Sequence, residues 1–158
     1  MIKASRRAAF LSDPSTTLDA LDRAIASTDD PGHQGRLLLA RALAQQGLAD
    51  MTPAASDAQA SVHHLLEAGE LSVAAFATAC AAGMVQRTGD TASAIDLAVD
   101  ALVLLPDDDL SDESLVRAAN AMAMFFSQLS AFDLALASSR RAFAGALRQA
   151  DHSTRSIT

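Results

Sequence analysis

Ala40, Ala82 and Ala123 stand 42 and 41 residues apart, and the sequence around them repeats with them. A shift of 41 brings Ala77 onto Ala118, Thr78 onto Ala119 and Val85 onto Phe126. The same shift brings Ala94 onto Ala135 and Ala101 onto Ala142. A period of this size marks stacked supersecondary units, none of which can bury its apolar face alone. Alanine supplies roughly a fifth of the chain, the aromatic residues are six Phe, and Trp and Tyr are absent. A core built from Ala and Leu favours packed helices over sheets. Half of the 158 residues are apolar and 20% are charged, enough for a single ordered domain over 1–158.

Seven helices with short links follow from the start and stop signals. Ser12 or Asp13 with Pro14 opens the first, in which Leu18, Leu21 and Ile25 share a face, and "DDPG" (29–32) closes it. "HQGRLLLARALAQQG" forms the second, with Leu38, Leu39, Ala42 and Leu43 as its apolar stripe and Gly47 as its stop. Thr52-Pro53 opens a third that runs to about Ala68, and a fourth spans about 70–87. The turn "RTGD" leads to a fifth over about 91–105. Ser111 or Asp112 caps a sixth over about 112–129, and a seventh ends near Gln149. With no strand pattern the fold class is all-α.

Within the central unit, Thr78, Ala81-Ala82, Val85, Ala94, Ala98, Ala101 and Pro106 fall at the intervals of a known helical repeat. In this the chain resembles the tetratricopeptide-repeat (TPR) family. The resemblance covers about residues 34–149. Thr78 stands where that family usually has a bulky residue, Val85 stands where it has an aromatic, and the last unit has Leu147 in place of the closing Pro. A period near 41 rather than 34 implies longer helices. The resemblance implies antiparallel hairpins stacked as a short right-handed solenoid, with units at about 34–68, 70–106 and 111–149 behind a capping helix at 12–30. The alanines then stand where two helices cross closely, with Leu97 and Val103 filling the flanks.

Charge narrows the partners. Nineteen acids against twelve basic residues give a net charge of −7, Lys3 is the only lysine, and the arginines are scattered. Nucleic-acid binding needs a cationic stripe, and often aromatic platforms, so it is not expected. Neither a signal peptide nor a membrane span is expected, since "SVAAFATACAAGMV" (72–85) is too short and alanine-rich to cross a bilayer. A single cysteine, Cys80, excludes an internal disulfide and fits a reducing, cytoplasmic setting, with its thiol buried and inert.

Catalytic patterns are missing. His33, His63, His64 and His152 show no metal-binding spacing. "DDDLSDE" (107–113) lacks the glycine and distant Glu of a calcium loop, and reads as acids at the positive end of the sixth helix. "TGDTAS" (88–93) lacks the Lys of a phosphate loop. Neither enzymatic activity nor a cofactor is expected.

What remains is a surface. In TPR arrays the first helix of each pair lines a concave groove. Carried onto this sequence, that places Gln34, Arg41 and Gln45 of the second helix in the groove, and Phe76, Gln86 and Arg87 of the fourth. Ala79 and Gly83 leave room between them. The sixth contributes Arg117, Asn120, Met124 and Gln128. Amides, a Phe and a Met suit an adaptable peptide site in which Arg41, Arg87 and Arg117 pair with carboxylates. The two-lysine carboxylate clamp of some TPR proteins is absent. The expected function is a non-catalytic module that binds protein or peptide. The alternative is an N-terminal regulatory domain of a bacterial signalling protein, such as a diguanylate cyclase or a transcription regulator. In the seventh helix, Phe132, Leu134, Leu136, Phe143 and Leu147 are too widely spread for one hairpin partner to cover. A homodimer through the C-terminal helices, or a further array element, is therefore expected, with apolar area left on helices six and seven.

Overall fold

The computed structural model describes residues 14–106, 110 and 112–155. Seven helices account for nearly all of them, with no strand among the described residues: α1 (Pro14–Ala26), α2 (Pro31–Gly47), α3 (Met51–Glu67), α4 (Leu71–Arg87), α5 (Thr91–Leu104), α6 (Glu113–Gln128) and α7 (Phe132–Arg155). The fold is all-α, and none of these helices is long and apolar enough to cross a membrane.

Four helices differ from the sequence reading at their ends. Thr52-Pro53 does not open α3, which begins one residue earlier at Met51 behind Asp50, without a side-chain cap bond. "DDPG" does not close α1 but opens α2: Asp30 is the N-cap, its Oδ1 accepts from the His33 amide at 2.6 Å, and Pro31 takes the first helical position. α2 does end at Gly47, but the left-handed residue of that turn is Ala49 (φ 62°) rather than a glycine. The same position is held by Gly69 (φ 73°) after α3, Gly89 (φ 99°) after α4 and Ser130 (φ 58°) after α6. In three of these turns the amide of the following residue reaches back to a carbonyl five residues earlier: Asp50 to Gln45, Glu70 to Leu65 and Ala131 to Phe126. This closes each helix by the same satisfied C-terminal motif. Finally, α7 does not end near Gln149 but continues to Arg155, carrying His152 inside the helix rather than in a connection. As expected, Asp112 caps α6, accepting from the Ser114 amide at 2.6 Å; Ser12, Asp13 and Ser111 lie outside the described residues.

The tight turns pair α2 with α3, α4 with α5, and α6 with α7 as antiparallel hairpins, while α1 packs on α2. The joints between hairpins are not alike. The first joins the second chiefly through α3 on α4, whereas the second joins the third chiefly through α4 on α6; α2 barely meets α4, and α5 barely meets α6. Connection length accounts for the change. Only residues 68–70 separate α3 from α4, but 105–112 separate α5 from α6, and the buried Leu105 and Leu110 of that segment wedge between elements. An Arg141 guanidinium N–H donates to the Pro106 carbonyl and ties the segment to α7.

Helix α4 is therefore the hub, buried on almost every side, and nearly all of "AAFATACAAGMV" (74–85) is in the core. A helix packed all round needs no single apolar stripe, and the methyl-sized Ala74, Ala77, Ala81 and Ala82 let three neighbours approach it. Thr78 fits the same requirement: it is 1% exposed, and its hydroxyl donates to the Ala74 carbonyl at 2.8 Å. Helix α5 meets α4 through Ala94, Ala98 and Ala101, as the repeat spacing predicts. Val103 does not fill a flank, however. It is 79% exposed because nothing packs on the outer side of α5, whereas Leu97 is half-buried as expected.

Candidate functional site

Positions 76, 80, 83 and 87 recur at three- and four-residue intervals, which places them on one face of α4. That face turns toward α6, where Arg117, Asn120, Met124 and Gln128 have the same spacing. Between them, closed at one edge by Leu43 and Gln46 of α2, lies a groove of about 480 Å³. It exists because α4 is thin there. A Cβ added to Gly83 would meet no atom within 4 Å, and Ala79 adds only a methyl group to the floor.

The floor is apolar: Phe76, Ala79, Cys80, Val116 and Phe125. Phe125 is 2% exposed and held edge-on by Phe126, with ring centres 5.6 Å apart. Arg117 lies across the groove with its guanidinium carbon 4.1 Å from the centre of the Phe76 ring, an arrangement that orients the cation without neutralising it. Among the described residues no carboxylate stands within 4.0 Å of Arg117 or Arg87, and no acid lines the groove. The mouth carries Gln46, Asn120 and Gln128 as adaptable donors and acceptors, beside the exposed Met124. Burial pushes the Cys80 thiol up to about 12, with the nearby Arg117 charge opposing, so it is a neutral apolar wall rather than a nucleophile.

Six of the ten side chains expected from the sequence thus line one groove: Phe76, Arg87, Arg117, Asn120, Met124 and Gln128. The other four are placed elsewhere. Arg41 faces away, toward α1 and α3. Its Nε and Nη2 reach the Asp57 carboxylate at 2.6 and 2.8 Å, and its Nη1 reaches Asp22 at 2.5 Å. Hydrogen bonding to Asp57, joined by Asp22, outweighs the opposing effect of burial and holds its pKa above the ordinary range, so the guanidinium is a fixed cross-brace. Gln45 and Gln86 lie off the groove, half-buried, each with its Oε1 enclosed and unpaired. Gln34, also expected to face a ligand, is half-buried and does not line the groove.

Sequence reasoning missed Leu43, Gln46, Val116 and Phe125. The α2 pair could have been found from phase. Leu43 and Gln46 are three residues apart on one face, while Arg41 and Gln45, four apart, share the roughly opposite face, which turns away from the groove. His63 and His64 are adjacent on α3 with ring centres 5.7 Å apart, and no group of three metal-ligating side chains occurs among the described residues. Compared with known protein families, curated proteins and solved structures, the chain matches none.

Proposed function

We propose that the chain is a non-catalytic interaction module that takes a protein segment into the groove between α4 and α6. The single observation that carries this is the groove's composition. In a chain with a net charge of −7, this concavity has an apolar floor, no acid in its lining, and two arginines with no carboxylate partner among the described residues. Such a surface accepts an apolar side chain beside an anionic or hydrogen-bonding group, which is the make-up of a peptide rather than of a reacting small molecule. The TPR-like reading supports it: first helices of successive hairpins meet at the groove, and small residues recur where second helices pack. The alternative, a regulatory segment of a larger bacterial signalling enzyme or transcription regulator, uses the same groove and differs in what its occupant controls.

The test is affinity capture of cellular proteins by the chain and by two variants, Arg117→Glu and Met124→Glu. Both positions are exposed, so melting should move little while the captured partner is lost from each. Retention of the same partner by both variants sinks the assignment.

A further inference from the structure

Helix α7 packs on α6 through small residues, Ser138, Ala142 and Gly145, and leaves its opposite side bare. At 100° per residue, Phe132, Leu136, Phe143 and Leu147 fall in a stripe roughly 60° wide, centred about 135° from the buried face. They are 68, 50, 67 and 53% exposed. Leu134, also half-exposed, lies off this stripe. The spacing of the four is palindromic about the midpoint between Ser139 and Arg140: the outer pair and the inner pair are each equidistant from it. A two-fold interface demands such self-complementarity, because every residue must meet its counterpart under the same rotation.

We infer that this stripe is the interface with a second copy of the chain, α7 lying antiparallel on α7. Phe132 of one copy then faces Leu147 of the other, and Leu136 faces Phe143, so each layer pairs one ring with one leucine. Taking roughly 150–250 Å² for a whole aromatic side chain, the four exposed side chains bury on the order of 400 Å² per copy. Both copies together reach about two thirds of the ~1,200 Å² typical of a stable interface. Ser139, Arg140 and Ala146 flank the stripe, Ala150 extends it, and together they contribute the remainder. One feature opposes pairing: the two Arg140 side chains emerge on the same side near the two-fold axis. This like-charge contact distinguishes a second copy from an acidic partner, which Arg140 would attract.

Sedimentation of the full 158-residue chain should show a reversible species of twice the chain mass. Phe143→Glu should make it monomeric at every concentration with its helical circular dichroism retained. Arg140→Ala should tighten self-association several-fold, and raising salt from about 50 to 500 mM should do the same in the parent by screening the arginine pair. For register, a short bis-maleimide linker should join Ser139→Cys chains, which meet at the axis. It should fail to join Ala150→Cys chains, whose cysteines lie about 30 Å apart in the antiparallel pair. A strict monomer, a dimer that survives Phe143→Glu, weakening by Arg140→Ala, or linkage at 150 without linkage at 139 each overturns the inference.

Discussion

Two glycines in helix interiors should respond with opposite sign to the same added methyl group. In an unobstructed helix, Gly→Ala stabilises by about 1 kcal/mol, since glycine gives up more backbone freedom on folding. Gly83 is such a position, with no atom within 4 Å of the added Cβ. At Gly145 that atom would lie 2.7 Å from Val116 Cγ2, 2.8 Å from Leu110 Cβ and 2.9 Å from the Leu110 carbonyl oxygen. Carbon atoms in good contact stand roughly 3.5–4.0 Å apart, so α7 must retreat by several tenths of an ångström. Val116 can rotate, but Leu110 cannot, because its side chain is 2% exposed and its backbone is one of the clashing groups. Overpacking of this kind costs about 1–3 kcal/mol, which cancels or outweighs the helix gain. For a chain of this length 1 kcal/mol moves the midpoint by about 2–4 °C. Thermal unfolding followed at 222 nm should therefore place Gly83→Ala about 2–4 °C above the parent and Gly145→Ala at or below it. If Gly145→Ala melts above the parent by as much as Gly83→Ala does, the packing described for α6 and α7 is wrong.

Other outcomes follow from individual contacts. Ala49→Gly and Ser130→Gly should each stabilise by about 0.5–1 kcal/mol, read from urea midpoints, because both residues hold left-handed φ values that cost an L side chain energy. A fall in either midpoint contradicts the turn assignment. Asp57→Ala should destabilise by about 1–2 kcal/mol. That lies above the ~0.5 of exposed pairs and below the ~3–5 of fully buried ones, since Arg41 is a quarter exposed and keeps Asp22. No loss of stability would mean that the brace is dispensable. Burial holds the Cys80 pKa near 12, so alkylation of the native chain at about pH 8 should be far slower than after unfolding. Arg117→Ala, which removes the opposing charge, should slow it further; fast native labelling would refute the buried setting.

Much of the fold was legible because its signals are local. Helix existence followed from caps, turns and apolar phase, and Ala94, Ala98 and Ala101 were identified as crossing points from the repeat spacing and the family resemblance it carries. What was not legible depends on partners remote in sequence. Nothing around Ala49 announces a left-handed residue, since glycine is the usual marker and Gly47 stands two positions away. Arg41 resembles a groove arginine until Asp57, sixteen residues on, and Asp22, nineteen back, engage all three of its nitrogens. Six groove residues were reached because a repeat fixes which face of a first helix turns outward. The α2 edge was misphased because the weak meeting of α2 with α4 breaks the repeat there.

The unequal joints alter how the chain comes apart. In a linear array each unit leans only on its neighbours, so an end can fray while the rest stands, and units can be added or removed. Here α3, α5 and α6 all lean on α4. Removing the middle hairpin would leave the outer two with no shared surface to close on, and loosening α4 loosens both joints between hairpins at once. The alanine that lets three helices crowd around one thus makes the molecule cooperative at the expense of modularity.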